Sequence, residues 1–401
     1  MTGQAPARRR PADLLSCGGP GPLPGRPALT TPPHLQRRAL ADLQREHLAA
    51  QPWLGLGGLL LAAVVFFALA LGMGSTEASL VVLGPLATFA LPAVAMIALW
   101  WDDWPGSRLA TPWTGLVDTV LVVAVAIALT IAGQAVVERS DVPAIFDPTP
   151  GPGTATTFPV TLALAGAAFT AMIQLSLVCE RWPLGHLGRL RSGVAALVLS
   201  WGLAIGAYYP LVNLNAVPAA ARQAAGIRNP GGPFAAPEFG SALIAVGVWQ
   251  AVIFIALRGW PVNTISRRPL RLVAGNVLVI ALGAATYLVL SDLAGWPPSA
   301  IAAACGCVIA AAIVTGMLFE GWPAARLSPG PARALVLILT AVVAVALDRA
   351  LSGYADGVQW VRVTPDDWVT TASLSFIGAS IILHVGIGLR WPFAAATRTP
   401  P

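Results

Sequence analysis

Lysine is absent from this 401-residue chain, and all 24 basic residues are arginine. Together with 40 glycines, 35 prolines and abundant alanine, this is the amino-acid bias of a GC-rich genome, and no function follows from it. Charge of either sign is scarce. Charged residues make up 10% of the chain, against about 25% in soluble domains, so an ordinary soluble globular protein is excluded.

Chemistry-bearing groups are equally sparse. The four histidines are His34, His47, His186 and His384; they form no cluster for iron or copper. No aspartate-rich pair of the kind that binds a magnesium diphosphate is present, nor a glycine-rich phosphate loop. The sequence therefore implies no catalytic motif, no cofactor and no metal. Of the four cysteines, Cys17 lies near the N-terminus, Cys179 closes an apolar run, and Cys305 and Cys307 lie inside another. Two positions on a helix are about 200° apart, so that last pair can neither close a disulfide nor chelate one metal.

What the chain has is apolar sequence: 56% of it, with a mean hydropathy of +0.72. At about 20 residues per crossing, this reads as a polytopic membrane protein. Ten apolar runs are placed at 53–73, 79–100, 115–137, 159–179, 193–213, 241–257, 272–291, 299–319, 333–352 and 369–389. Pro85 and Pro92 fall inside the second, which a bundle tolerates. Residues 1–32, rich in Pro, Gly and Arg, read as a disordered tail. Over 33–51, Leu35, Leu40, Leu43 and Leu48 alternate with Arg37, Arg38 and Arg45, which suits an amphipathic helix on the membrane surface. The membrane domain is expected over 53–392, with a short tail at 393–401.

A net charge of +6 could suggest nucleic acid, but the arginines sit at the ends of apolar runs and read as topology signals. With the N-terminus inside, 19 of the 24 lie on the cytoplasmic side; only Arg139, Arg222, Arg228, Arg349 and Arg362 lie opposite. The expectation is an integral protein of a bacterial plasma membrane with both termini cytoplasmic. Its partners would be the lipid bilayer and a possible membrane protein, and no nucleic acid.

The runs are punctuated by Trp-Pro, at Trp104-Pro105, Trp182-Pro183, Trp260-Pro261, Trp322-Pro323 and Trp391-Pro392, spaced by 78, 78, 62 and 69 residues. A charge precedes the Trp by two positions at Asp102, Glu180, Arg258 and Glu320, and an apolar residue follows by five at Leu109, Leu187, Ile265 and Leu327. Tryptophan favours the membrane–water interface, and proline blocks continuation of a helix. The five tryptophans are therefore interface anchors at which a span stops. The expected fold is an all-α membrane bundle of about ten helices, arranged as five two-helix repeats of parallel orientation, each ending in a cytoplasmic Trp-Pro. Such repeats are related by an axis along the membrane normal, which counts against an inverted-repeat transporter.

Polar residues inside spans are functional candidates. Gln174 and His384 lie eight and seven residues before their Trp-Pro tryptophans, at nearly the same depth, and Gln250 lies slightly deeper in a third equivalent helix. If their faces converge they line a substrate path; the plainer reading is hydrogen bonding between helices. Asp118 suits the first-turn charge of its helix, and Asn276 opens the seventh run. The leading function is a permease-like or transport-associated protein for a small or lipophilic substrate; the alternative is a non-catalytic membrane scaffold or complex subunit; and an enzyme acting on a lipid-linked substrate comes third, opposed by the scarcity of acid–base groups. Transport requires a water-accessible cavity reaching Gln174, Gln250 or His384. A scaffold requires closed packing there. An enzyme requires carboxylates, Asp366 and Asp367 among the candidates, gathered around a groove.

Overall fold

The computed structural model describes residues 45–109, 113–149 and 157–393. The expected disordered tail at 1–32, the first part of the 33–51 helix and the end of the C-terminal tail lie outside the described residues. Residues 45–50 are helical. Beyond them run ten apolar helices: α1 (Trp53–Leu71), α2 (Thr76–Trp100), α3 (Trp113–Val137), α4 (Leu162–Val178), α5 (Arg189–Leu211), α6 (Ala236–Ala256), α7 (Arg268–Leu293), α8 (Pro298–Leu318), α9 (Pro329–Asp356) and α10 (Pro365–Ile387). Nine of these, among the described residues, are long and apolar enough to cross a membrane; α4 is shorter. The chain is an integral membrane protein on this evidence of length and composition. Pro85 and Pro92 both lie within α2. One departure from pure helix is a two-residue parallel pairing of Val212–Asn213 with Phe234–Ala235 between α5 and α6.

The helices fall into two layers. The even-numbered helices are buried over 83% of the span in α2, 50% in α6, 67% in α8 and 72% in α10, whereas no odd-numbered helix exceeds 33%. The even helices form a central ring in chain order: α2 packs on α4, α4 on α6, α6 on α8, α8 on α10, and α10 returns to α2. Hydrogen bonds fasten several of these seams. Trp100 Nε1 donates to Ser176 Oγ at 2.8 Å between α2 and α4. Thr88 and Ser375 hydroxyls meet at 2.9 Å between α2 and α10, closing the ring.

The odd helices clothe the ring with one rule throughout. Each packs along the even helix that precedes it and touches the end of the even helix before that: α5 takes α4 and the end of α2, α7 takes α6 and the end of α4, α9 takes α8 and the end of α6. Helix α3 takes α2 and the end of α10, and α1 takes α10 and the end of α8, so the pattern runs through the chain termini without a break. Apolar side chains such as Leu60, Val120, Val198, Val277 and Val342 point outward from this layer. In water such a surface would drive aggregation; against lipid tails it needs no cover. Cys305 and Cys307 are both buried and belong to different apolar clusters, one against α6 and α7, the other against α1 and α10.

The ends of the even helices share one backbone path. Each widens into a π-turn, at Met96–Trp100, Gln174–Val178, Val252–Ala256, Val314–Leu318 and Leu383–Ile387. Two residues in the left-handed region follow: Asp102 and Asp103, Glu180 and Arg181, Arg258 and Gly259, Glu320 and Gly321, Leu389 and Arg390. The second of each pair donates its N–H back to the π-turn, as Arg181 does to Leu175 O at 3.0 Å and Gly259 to Ile253 O at 2.7 Å. Then comes a cis Trp-Pro bond. After the first four copies a 3₁₀ turn follows, capped by the extended residues Leu109, Leu187, Ile265 and Leu327.

This corrects the expectation about what stops the spans. The left-handed pair ends each helix before the proline is reached, as a left-handed residue does at many helix C-termini. A further Trp-Pro, Trp296-Pro297, lies at the opposite end of the bundle between α7 and α8, and its bond is not cis. Trp-Pro by itself is therefore not the mark of one side; the π-turn, left-handed pair and cis bond together are.

Candidate functional site

The structure brings two of the three candidate path residues together. Gln250 Nε2 donates to Gln174 Oε1 at 2.6 Å and to Thr170 O at 3.1 Å, tying α6 to α4. Gln174 Nε2 donates in turn to Asn276 Oδ1 on α7 at 2.8 Å, and Asn276 Nδ2 donates to Leu272 O at 2.8 Å. Three helices are thus clamped by one chain of amides. Gln250 is 3% exposed. The sequence placed Asn276 only at the opening of a run, although it completes the clamp; its position one layer out, on α7, had no signal in the spacing.

His384 is not part of this group. It is the second residue of its π-turn, whereas Gln174 is the first of its own, so equal depth does not mean an equal face. Their helices, α10 and α4, are not neighbours in the ring. His384 packs against α1 at Gly58, where an added Cβ would lie 2.7 Å from Nε2, and its ring meets Phe393 edge-on at 6.1 Å. It is 5% exposed, and neither ring nitrogen has a hydrogen-bond partner among the described residues.

A buried ionic node joins the last two copies of the elbow. Arg390 Nη2 donates to Glu320 Oε1 at 2.7 Å, with 3% and 5% of the two side chains exposed. Arg390 also donates to Leu318 O at 3.0 Å and Met317 O at 2.6 Å, which satisfies the π-turn carbonyls of α8. Arg258 Nη2 donates to the Glu320 backbone carbonyl at 2.7 Å, and His47 Nδ1 lies 3.1 Å from Glu320 Oε1, so the pre-span helix and three elbows meet at one residue, with Arg390 and His47 on its carboxylate. Burial lowers the Arg390 pKa from its ordinary value, and Glu320 opposes that. In the sequence Glu320 stands out only as one charge in a recurring position and Arg390 only as a topology signal.

The second elbow carries a more open arrangement. Both Glu180 carboxylate oxygens accept from Arg271, at 2.5 Å from Nε and 3.0 Å from Nη2. The Arg271 guanidinium holds the Glu180 carboxyl below the usual carboxylate range. Arg268 reaches the same carboxylate at 3.3 Å. Beside them opens a cleft of about 440 Å³ lined by Glu180, Arg181, Trp182, Pro183, Gly185, His186 and Arg268. In the first elbow Asp118, on α3, takes a related part, accepting from Gly106 N at 2.8 Å and so pinning the 3₁₀ turn to the next helix.

The five anchor tryptophans do not share one environment. Trp182 and Trp391 are exposed at 58% and 47%, Trp104, Trp260 and Trp322 are half-buried, and the Trp322 indole N–H is enclosed without a partner among the described residues. Arg333 stacks over the Trp260 ring at 4.8 Å. Asp366 and Asp367 have local structural partners. Asp367 Oδ2 accepts from Thr364 N at 2.9 Å in a capping box that starts α10, and Asp366 accepts from Ser299 Oγ at 2.8 Å. Among the described residues no group of three His, Cys, Asp or Glu side chains is placed to hold a metal ion. Set against protein-family models, curated proteins and solved structures, the chain matches none.

Proposed function

We propose that this protein is a membrane scaffold or a subunit of a membrane complex, without catalytic chemistry of its own. Its membrane domain, 53–392, has ten spans in five hairpins of one orientation, with the elbows on the cytoplasmic side of a bacterial plasma membrane and both termini there. The observation that carries this reading is the amide clamp. Gln174 and Gln250, the polar groups at the depth where a substrate would pass, are spent on each other, on Asn276 and on Thr170 O. Buried hydrogen bonds of this kind fix helix positions. The role of such a protein is to present its elbows and its lipid-facing surface to a partner in fixed geometry.

A second reading, a permease-like protein for a small or lipophilic substrate, is favoured by His384, a buried imidazole whose nitrogens have no partner among the described residues. Intramembrane ionisable groups of that kind mark ion and proton paths. Thiol labelling separates the two. Cysteines are placed singly at Gln174 and His384 in a background lacking Cys17, Cys179, Cys305 and Cys307, and a small membrane-impermeant reagent is added from each side. The scaffold reading predicts no labelling from either side in a correctly inserted protein. Labelling at both positions would replace it with transport.

A further inference from the structure

The cleft at the second elbow has the make-up of a phosphoryl-group site. Its acidic member is already paired, since both Glu180 oxygens accept from Arg271, which is not among the lining residues. Arg268 does line it, with 55% of its side chain exposed, and its own contacts with Glu180 are long, 3.3 Å to the carboxylate and 3.4 Å to the carbonyl oxygen. Good N–H···O bonds lie at about 2.7–3.2 Å, so most of the guanidinium's donor capacity remains for a ligand. A guanidinium presents a planar fork that fits two phosphate oxygens at once.

The other lining groups agree with that ligand. His186 Nδ1 donates to Pro183 O at 2.7 Å, which fixes the ring and turns Nε2 away from that carbonyl. The Arg181 guanidinium lies 5.9 Å from the centre of the Trp100 ring, adding positive charge at the wall. The lip is apolar, formed by Pro183 and by Trp182, the most exposed of the anchor tryptophans at 58%. An indole so placed sits at headgroup level in a bilayer. A basic hollow with an aromatic lip, at the arginine-rich end of a membrane bundle, is where an anionic headgroup would be held.

We propose that this cleft binds the phosphoryl group of an anionic phospholipid from the leaflet on the elbow side, with Arg268 as the principal contact and Trp182 against the glycerol region. The inference rests on the membrane reading and is independent of the choice between scaffold and transport.

Native mass spectrometry of the purified full chain, delipidated in detergent and titrated with phosphatidylglycerol or phosphatidylcholine, tests it. One phosphatidylglycerol should bind in preference to phosphatidylcholine. Arg268→Gln should weaken it by about tenfold, the loss of one charged hydrogen-bonding group. Arg268→Lys should retain part of the preference, and Arg228→Gln, on an exposed arginine at the other end of the bundle, should leave it intact. The thermal midpoints of the variants report whether they fold. Addition of inorganic phosphate distinguishes the source: an unchanged lipid preference supports a headgroup site, whereas displacement of the lipid by phosphate at low millimolar concentration assigns the cleft to the free ion and overturns the proposal. Equal binding of the two lipids, or an unchanged preference in folded Arg268→Gln, overturns it as well.

Discussion

Gln250 Nε2 donates to Gln174 Oε1 across 2.6 Å, and this bond joins two neighbouring helices of the central ring, α6 and α4. A double-mutant cycle on Gln174→Leu and Gln250→Leu, read by reversible unfolding in mixed detergent, should give a favourable coupling energy. Intramembrane hydrogen bonds average about 0.6 kcal/mol and reach about 1.7 kcal/mol in such cycles. A coupling indistinguishable from zero would mean that the amides do not hold the helices together.

The Glu320–Arg390 pair should behave differently, because both charges are enclosed. Arg390→Met removes the Arg390 donor from the buried Glu320 carboxylate and from the Leu318 and Met317 carbonyls. Breaking one side of a buried pair costs about 3–5 kcal/mol, whereas replacing both sides can be nearly neutral. Arg390→Met should therefore lower the unfolding midpoint strongly, and Glu320→Gln with Arg390→Met should recover much of the loss. A double variant as unstable as the sum of the singles would contradict the pairing.

Glu180 gives a pH dependence with a definite sign. Its folded pKa is lowered from 4.5, chiefly by the hydrogen bond from Arg271. A carboxyl lowered on folding contributes stability that is present above its unfolded pKa and is lost as pH falls through the folded one. The stability difference between the native chain and Glu180→Gln should thus be constant above about pH 5 and shrink below the ordinary carboxylate range. Differential scanning measurements at a series of pH values would show it; a difference that grows on acidification would refute the assignment.

The left-handed elbow makes a backbone prediction. Gly321 has φ +74°, and an added Cβ would meet nothing closer than Arg258 Nη2 at 3.7 Å, so the cost of Gly321→Ala is conformational rather than steric. It should destabilise by about 1 kcal/mol, the ordinary penalty for an L-residue in that region. Gly330→Ala, in the first turn of α9 with open space around it, should be neutral or stabilising. Thermal midpoints of the two variants check the contrast.

Much of the helix layout was legible because span length and apolar content are written directly in the residues: each of the ten runs found a helix, and 79–100 differs from Thr76–Trp100 by three residues at one end. Helix α9 runs beyond its run at both ends, from Pro329 to Asp356, because a helix continues through residues such as Tyr354 and Asp356 once the apolar stretch is over. The packing order was not legible. Lipid-facing and ring-facing residues are both apolar, so no face stands out on a span. The elbow geometry was hidden for another reason. Asp102, Glu180, Arg258, Glu320 and Leu389 occupy the same left-handed position with no side-chain chemistry in common. In the site, the depth of Gln174 and Gln250 pointed to their meeting, but nothing in the spacing pointed to Asn276, and the same depth argument grouped them with His384, which faces α1.

Closure of the central ring rests on the contact of α10 back onto α2. Thr88 and Ser375 place their hydroxyl oxygens 2.9 Å apart across that seam. Cysteines at both positions, in a chain lacking the native four and carrying a protease site in the segment between α5 and α6, would be oxidised in membranes and cleaved. If the ring closes as described, the two fragments stay linked on a non-reducing gel and separate on reduction, because sulphurs at those positions are within disulfide reach. Fragments that separate without reductant, or that are linked only between different chains, would contradict the closed ring.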